Sequence, residues 1–132
     1  MRKRNRWLLK TLLSISMLSF FSISVANGDK QDFEALRKAG IASYYHDKYH
    51  GRTTSSGEMY DKNALTAAHN RLPLGTRLKV TNLKNHRSVI VKVNDRMHPS
   101  NKRLIDLSRK AAKELGFIKS GLTKVKIEIL SV

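Results

Sequence analysis

The sequence contains no cysteine among its 132 residues. This absence excludes disulfide scaffolds, thiolate nucleophiles, cysteine-based zinc sites and lipid attachment through an N-terminal cysteine. Acidic residues are scarce, since 10 Asp and Glu stand against 26 Lys and Arg, which gives a formal charge of +16 at pH 7. Hydrophobic residues make up 40% and charged residues 27%, a composition that excludes a disordered tail and a polytopic membrane protein. The length allows one compact domain and leaves no room for two.

The N-terminal segment has the order of a secretory signal peptide. Residues 1–10 are basic, and an apolar run from Leu12 to Val25 ends on the small residues Ser24-Val25-Ala26. The run is shorter than the ~20 residues needed to span a bilayer, and serines interrupt it. We therefore predict a cleavable signal peptide over residues 1–26, a short leader over 27–39 and a folded domain over 40–132. The alternative is an uncleaved N-terminal anchor.

The charge that remains after cleavage indicates the kind of partner. Cleavage removes five basic residues and no acid, which leaves 21 Lys and Arg against 10 acids, a charge of +11. A domain this basic attracts polyanions. Outside the cell these are cell-wall carboxylates, anionic glycopolymers and phospholipid head groups rather than nucleic acid. We expect an exported, periplasmic or wall-associated monomer that has no nucleic-acid partner and does not stay in the membrane after cleavage.

Short strands dominate the hydrophobic pattern from residue 40 onward. Five strands are predicted, over residues 41–45, 65–69, 77–82, 88–94 and 124–130, and the third and fourth form a hairpin. One helix is predicted over residues 109–115, with Ser108 as its N-cap and Gly116 at its end. Residues 46–61 form a long polar loop, a feature that is often functional. The pattern indicates a small barrel, because a domain without disulfides needs a closed or covered sheet.

Asp95 is the most informative polar residue of this pattern. It continues the parity of Val89, Val91 and Val93, so we expect it to point inward at the end of the strand. Partial desolvation at the rim of a barrel would raise the pKa of this carboxyl and let it hold a proton near neutral pH. The alternative is a turn-capping residue paired with Arg96.

The other polar candidates each have a structural alternative. Glu58 in the long loop is either a partner carboxylate for glycoside chemistry or a solvated surface charge. His69 is either a proton-transfer group or a hydrogen-bonded structural residue, and Asp106 is either a site residue or a local cap. His46 and His50 have a spacing that suits a helical metal site, but their surroundings do not look helical and a third ligand is not evident. We predict no metal and no cofactor.

Five segments, taken in order, resemble the rare lipoprotein A family. They are GIASYY (Gly40–Tyr45), HGRTTSSGE (His50–Glu58), LTAAHNRLPLGTRLKVTNL (Leu65–Leu83), VIVKVNDR (Val89–Arg96) and RLIDLSRKAAKELG (Arg103–Gly116). Together they cover most of residues 40–131. The resemblance implies a mainly β fold, a six-stranded double-psi β-barrel with one or two short helices.

The resemblance also implies an activity and a site. The activity is that of an endolytic lytic transglycosylase, which cleaves peptidoglycan between N-acetylmuramic acid and N-acetylglucosamine and leaves a 1,6-anhydro end without using water. The implied catalytic residues are Asp95, Glu58 and His69. Our hypothesis makes Asp95 the proton donor and lets His69 orient a carboxylate, while Glu58 either stabilises the positive charge or shares the proton transfer. The implied substrate-binding residues are Tyr44, Thr54, Ser56, Arg96 and Asp106.

Two alternatives to the enzyme stay open from the sequence. The first is a non-catalytic, expansin-like module that binds peptidoglycan or another polysaccharide without a matched acid and base. The second is an exported basic protein that binds nucleic acid or lipid and ignores glycan. The sequence also departs from the family pattern after Asn94-Asp95-Arg96, where Met97-His98 replaces the usual Gly-Pro. Loss of a glycine beside Asp95 restricts the backbone there.

Overall fold

The computed structural model describes residues 39–132, so the predicted signal peptide and most of the predicted leader lie outside the described residues. Six strands and one α-helix make up the described chain. They are β1 (Ala39–Tyr44), β2 (Thr66–Ala68), β3 (Arg77–Asn82), β4 (Ser88–Asp95), β5 (Ile105–Leu107), α1 (Arg109–Leu115) and β6 (Thr123–Ser131). A single 3-10 turn, Asp47–Tyr49, lies in the long loop between β1 and β2.

The six strands close into a barrel in the order β1-β5-β2-β4-β3-β6. The pairs β1–β5 and β2–β4 are parallel, and the other four pairs are antiparallel. Closure removes the unpaired edges that an open sheet of this size would present to other chains. The predicted fold class, a mainly β closed six-stranded barrel with short helices, is confirmed.

Alternation along the longer strands fills the barrel. Four inward residues on β3 and β4, Leu78, Val80, Val91 and Val93, are at most 1% exposed, whereas the outward Ile90 is 45% exposed. Strand β6 contributes its buried residues to the same core. This is the period-2 pattern expected of strands with one buried face. The core therefore sits inside the barrel and is apolar, and the polar chemistry lies on its outer surface and at its loops.

Helix α1 forms where its local signals predict it. The Ser108 hydroxyl accepts a hydrogen bond from the Ala111 N–H at 3.2 Å, which satisfies one of the open donors of the first turn. The helix ends at Gly116, whose φ of 77° is in the left-handed region that glycine adopts without a steric penalty. The buried face of α1 consists of Ala111, Ala112 and Leu115. The predicted helix and both of its caps are confirmed.

Strand β5 is the element that the hydrophobic pattern did not predict. The five predicted strands match observed ones to within two residues at each end, but Ile105–Leu107 is only three residues long. Three residues are too few for alternation to show in the sequence. This strand nevertheless closes the barrel between β1 and β2.

Residues 39–132 contain two helical segments, of three and seven residues, and neither is long or apolar enough to cross a membrane.

Candidate active site

Strand register places two carboxyl groups on either side of β2. Ala68 pairs with Asp95 on β4 and with Asp106 on β5, so the two carboxyl-bearing residues stand at the same level of the barrel, two strands apart. Since neighbouring strands are spaced about 4.8 Å, the Cα atoms of Asp95 and Asp106 are separated by roughly 10 Å. Ser43 on β1 pairs with Asp106 and extends the row. The neighbouring level of this register includes the core residues Ala67, Val93 and Leu107, so the row lies on the outer face of the barrel.

A β-bulge changes the direction that the sequence predicted for Asp95. The pairing of Ala67 with Val93 is followed by the pairing of Ala68 with Asp95, so Asn94 is an extra residue on β4. Asn94 is 2% exposed, although the alternation placed it on the polar face. The prediction that Asp95 points into the barrel is therefore wrong, because the bulge moves it to the outer face.

Asp95 accepts hydrogen bonds from four donors. Its Oδ1 accepts from the Ser55 N–H at 2.9 Å, the Ser55 hydroxyl at 2.8 Å and the Arg96 N–H at 2.8 Å. Its Oδ2 accepts from the Tyr45 hydroxyl at 2.5 Å. Burial alone would raise the pKa of Asp95, but these donors outweigh it and hold the pKa below its usual value. The prediction of a raised pKa is wrong, since Asp95 is held in its ionised form.

Asp106 has the opposite environment. Burial raises the pKa of this carboxyl to about 6, and the negative charge of Asp95 acts in the same direction. The Ser43 hydroxyl, which donates to Oδ1 at 3.1 Å, and the positive charge of Arg103 oppose that rise without cancelling it. Asp106 does not cap the helix, since Ser108 does so. Of the two carboxyl groups, Asp106 is the one that carries a proton at mildly acidic pH.

The loop between β1 and β2 supplies three of the four donors to Asp95. The Thr54 hydroxyl donates to the Glu58 carbonyl at 2.7 Å, and the Ser56 N–H donates to the Asn94 carbonyl at 3.1 Å. These bonds hold residues 54–58 against the end of β4. The Glu58 carboxylate is exposed and forms an ion pair with Lys92 Nζ at 2.9 Å. Residues Thr54, Ser56 and Glu58 are thus brought to the neighbourhood of Asp95.

His69 reaches Asp95 through its backbone. The His69 N–H donates to the Asp95 carbonyl at 3.1 Å, and the Arg96 guanidinium donates to the His69 carbonyl at 2.7 Å. In the ring, Nδ1 accepts the N–H groups of Arg71 and Leu72, each at 3.1 Å. An accepting Nδ1 places the proton of a neutral imidazole on Nε2. The guanidinium of Arg96 therefore supports the turn after β2, while the backbone N–H of Arg96 donates to the Asp95 carboxylate.

The tyrosine that contacts Asp95 is Tyr45 and not Tyr44, the one predicted to lie in the site. The Tyr44 hydroxyl donates to the Ile118 carbonyl at 2.9 Å, and its ring packs edge-on against Phe117. Tyr45 is the tyrosine that contacts Asp95, and its ring lies against Tyr60 with centroids 4.4 Å apart. Successive residues of an extended chain point in opposite directions, so the structure does not bring Tyr44 to the carboxyl pair.

Three residues of this site carry no sequence signal that singled them out. They are Ser43, Ser55 and Tyr45, and each of them donates a hydroxyl to one of the two carboxyls. Tyr45 and Ser55 stand next to predicted residues in the sequence, so adjacency to Tyr44 and Ser56 was the available clue. Ser43 is 63 positions from Asp106, and only the register of β1 and β5 connects them.

Within the described part of the chain, no group of three His, Asp or Glu side chains is arranged to hold a metal ion. The Nδ1 atoms of His46 and His50 each accept a backbone N–H, from Lys48 at 3.2 Å and Lys62 at 3.1 Å. The His46 ring therefore caps the 3-10 turn, and the His50 ring links two parts of the loop between β1 and β2.

Comparison with known proteins places the fold and this site in context. Residues 37–127 match the family model described as "Lytic transglycolase". The chain is 55% identical over 95 residues to an "Endolytic peptidoglycan transglycosylase RlpA" of Haemophilus influenzae. The aligned region covers 72% of this chain and 33% of that relative. The chain is 46% identical over 117 residues to a protein of the same name from Campylobacter jejuni, with 89% and 40% covered. The chain thus spans well under half the length of the curated relatives it matches.

Two solved structures are similar in fold. A Clavibacter michiganensis expansin superposes with a TM-score of 0.57 at 23% identity, over 70% of this chain and 50% of the expansin. A Streptomyces papain inhibitor superposes with a TM-score of 0.55 at 22% identity, over 70% of this chain and 94% of the inhibitor. At these identities the likeness concerns the barrel fold alone.

Proposed function

Because the chain belongs to the lytic transglycolase family, we propose that it cleaves the glycan strands of peptidoglycan as an endolytic lytic transglycosylase. The membership confirms the resemblance to the rare lipoprotein A family. The observation that carries the proposal is the pair of carboxyls at the level of Ala68, one able to hold a proton and the other held ionised. In glycoside chemistry, two carboxyl groups whose environments push their pKa values apart take different roles. The group with the raised pKa acts as the acid, and the ionised group acts as the base or as a stabilising anion.

Asp106 is assigned the proton transfers. The protonated carboxyl donates to the oxygen between C1 of N-acetylmuramic acid and O4 of N-acetylglucosamine, and the C1–O4 bond breaks. The 6-hydroxyl of the same muramic residue then attacks C1 and gives its proton to the Asp106 carboxylate. The products are a 1,6-anhydro-muramic end and a free 4-hydroxyl, the acid is regenerated, and no water is consumed.

Asp95 is assigned the stabilisation of positive charge. Its four donors keep the carboxylate anionic and fix its orientation on the outer face of the barrel. A fixed anion close to C1 stabilises the oxocarbenium-like transition state without reorganising during the reaction. This assignment replaces our hypothesis from the sequence that Asp95 is the proton donor, because a carboxyl with a lowered pKa is a poor acid at neutral pH.

Glu58 and His69 are assigned supporting roles. Glu58, exposed and paired with Lys92, lies on the loop that binds Asp95 and can reach sugar hydroxyls that enter along this loop. His69 positions Asp95 through its backbone N–H, and its turn is held by Arg96. The substrate lies in the bacterial cell wall, so the proposal places the protein outside the cytoplasm. The basic composition favours residence on an anionic wall.

The test is an analysis of products from purified peptidoglycan. We expect the protein to generate 1,6-anhydro-muramic ends, identified by mass spectrometry, with no matching increase in reducing ends. Replacing Asp106 by Asn removes the acid, so the rate should fall by about 100-fold or more. Asp61→Asn is the matched control, because Asp61 is exposed and its Oδ1 accepts the Asn63 N–H at 2.8 Å, a bond that an amide oxygen can keep.

Other outcomes would overturn the proposal in distinct ways. Reducing ends in place of anhydro ends would mean hydrolysis by water. Sedimentation with peptidoglycan without new ends would mean the expansin-like binding module. Equal activity of the Asp106→Asn and Asp61→Asn proteins would remove Asp106 from the chemistry.

A further inference from the structure

A pocket of about 530 Å³ lies beside the carboxyl pair, between the start of β1, the turn after β2 and residues 97–104. His69, Arg71, Met97, Lys102, Arg103 and Leu104 are among its lining residues. The volume is within the range of small-molecule sites, about 300–1,000 Å³, and accommodates a sugar residue with its substituent. None of the assigned catalytic steps uses this space.

The pocket is positively charged. Arg71, Lys102 and Arg103 line it, and none of the described residues in its wall is acidic. The ion pairs among residues 39–132 lie elsewhere and use none of these three cations. Cations that line a concave surface and form no ion pair with another described residue are suited to an anionic ligand, and arginine in particular to a carboxylate.

One hydrogen bond and one electrostatic effect connect the pocket to the site of reaction. His69 lines the pocket and donates its backbone N–H to the Asp95 carbonyl at 3.1 Å. Arg103 lines it too, and its charge acts on Asp106, where it opposes the effect of burial on the pKa of that carboxyl. The pocket therefore adjoins the residues to which the bond cleavage is assigned.

We propose that this pocket binds a carboxylate carried by the N-acetylmuramic acid residue beside the scissile bond, an inference that rests on the proposed function. N-acetylglucosamine is neutral, whereas muramic acid carries a lactyl ether. The lactyl carboxyl is free in a glycan stripped of its peptides and is extended into a peptide with carboxylates of its own in an intact strand. The pocket thus distinguishes muramic acid from a neutral sugar, and the two sources of the carboxylate are separable by experiment.

The test compares paired charge removals. Arg71→Gln/Lys102→Gln removes two charges from the pocket, and Lys79→Gln/Lys126→Gln removes two from exposed positions on β3 and β6. Both pairs are placed in an Asp106→Asn background so that ligands are not consumed. Affinity is measured by titration calorimetry for peptide-free glycan oligomers, for oligomers bearing stem peptides and for chitin oligosaccharides of equal length. Thermal unfolding of each protein verifies that it is folded.

We expect the pocket pair to weaken binding of a muramic-acid ligand about tenfold or more and to leave chitin oligosaccharide binding within about twofold. Loss confined to peptide-free oligomers assigns the lactyl carboxylate, and loss confined to peptide-bearing oligomers assigns the peptide carboxylates. Loss with both shows that the pocket accepts either. An equal loss with the neutral ligand, an equal loss in the control pair, or no loss would overturn the inference. If the wild-type protein makes anhydro ends but the Arg71→Gln/Lys102→Gln change leaves the affinity for muramic-acid ligands unaltered, this inference alone is wrong. If the pocket binds these ligands selectively but the wild-type protein makes no anhydro ends, only the proposed function is wrong.

Discussion

Replacing Asp106 by Asn should lower the rate by about 100-fold or more and at the same time stabilise the protein at neutral pH. The structure raises the pKa of this carboxyl from 3.8 to about 6, chiefly through burial. In the unfolded chain the carboxyl ionises near its ordinary pKa of about 3.9, so above that pH the folded state carries the cost of keeping it protonated or burying its charge. The difference corresponds to about 2–3 kcal/mol of unfolding free energy.

The sign of the effect fixes its pH dependence. Below about pH 4 the carboxyl is protonated in both states, so the wild-type and Asp106→Asn proteins should have similar stability. Between about pH 4 and pH 6 the wild type loses stability relative to the variant, and above about pH 6 the gap is constant. Asparagine keeps an oxygen that can accept the Ser43 hydroxyl, so that hydroxyl retains its acceptor in the variant.

Urea unfolding at a series of pH values measures this gap. Asp61→Asn, an exposed carboxyl-to-amide change, is the control, and its stability difference from the wild type should vary little over the same range. If the gap between Asp106→Asn and the wild type did not widen as the pH rises from 4 to 6, the carboxyl would not have the raised pKa on which its role as proton donor rests. A stability gain with activity retained would separate the buried carboxyl from the chemistry.

Three further predictions concern the surroundings of the pair. Tyr45→Phe removes one donor from Asp95 and should raise the pKa of that carboxyl, measured by carbon-13 NMR titration. Tyr44→Phe, which loses a bond to a neutral carbonyl, should leave the pKa of Asp95 unchanged. Arg103→Gln removes a charge that lowers the pKa of Asp106, so the alkaline limb of the pH–activity profile should move to higher pH; a shift to lower pH would contradict the assignment. Raising the salt from about 0.05 to about 0.5 M should weaken sedimentation with peptidoglycan, because the chain has a formal charge of +16, and salt-independent binding would exclude charge as the main attraction.

The elements that follow from local signals were predictable from the sequence. Ser108 and Gly116 bracket the helix with two standard capping preferences, and the alternation of Val89, Val91 and Val93 identifies β4. These features depend only on residues close in sequence, so a pattern of a few positions determines them.

The site depended on features that no short pattern contains. The bulge at Asn94 adds one residue to β4 and turns Asp95 to the outer face, and its sequence is that of an ordinary strand end. The environment of Asp106 depends on a three-residue strand and on a hydroxyl 63 positions away at Ser43. The family resemblance named both carboxyls as site residues, but which of them holds a proton depends on burial and donors that only the folded chain supplies.

The difference between the two carboxyls follows from where each stands on its strand. Asp95 is the last residue of β4, where the chain leaves the sheet, so the Arg96 N–H and the loop donors at Ser55 are available to its side chain. Asp106 is the middle residue of β5, between strands β1 and β2, and one hydroxyl is the only donor recorded for its side chain within the described residues. The ionised form of a carboxyl at a strand end is thus stabilised by backbone donors. A carboxyl in the middle of a strand has few such donors, so burial dominates and raises its pKa. The barrel topology therefore produces an acid and an anion at the same level, and a change that lengthened β4 beyond Asp95 would remove the asymmetry without touching either carboxyl.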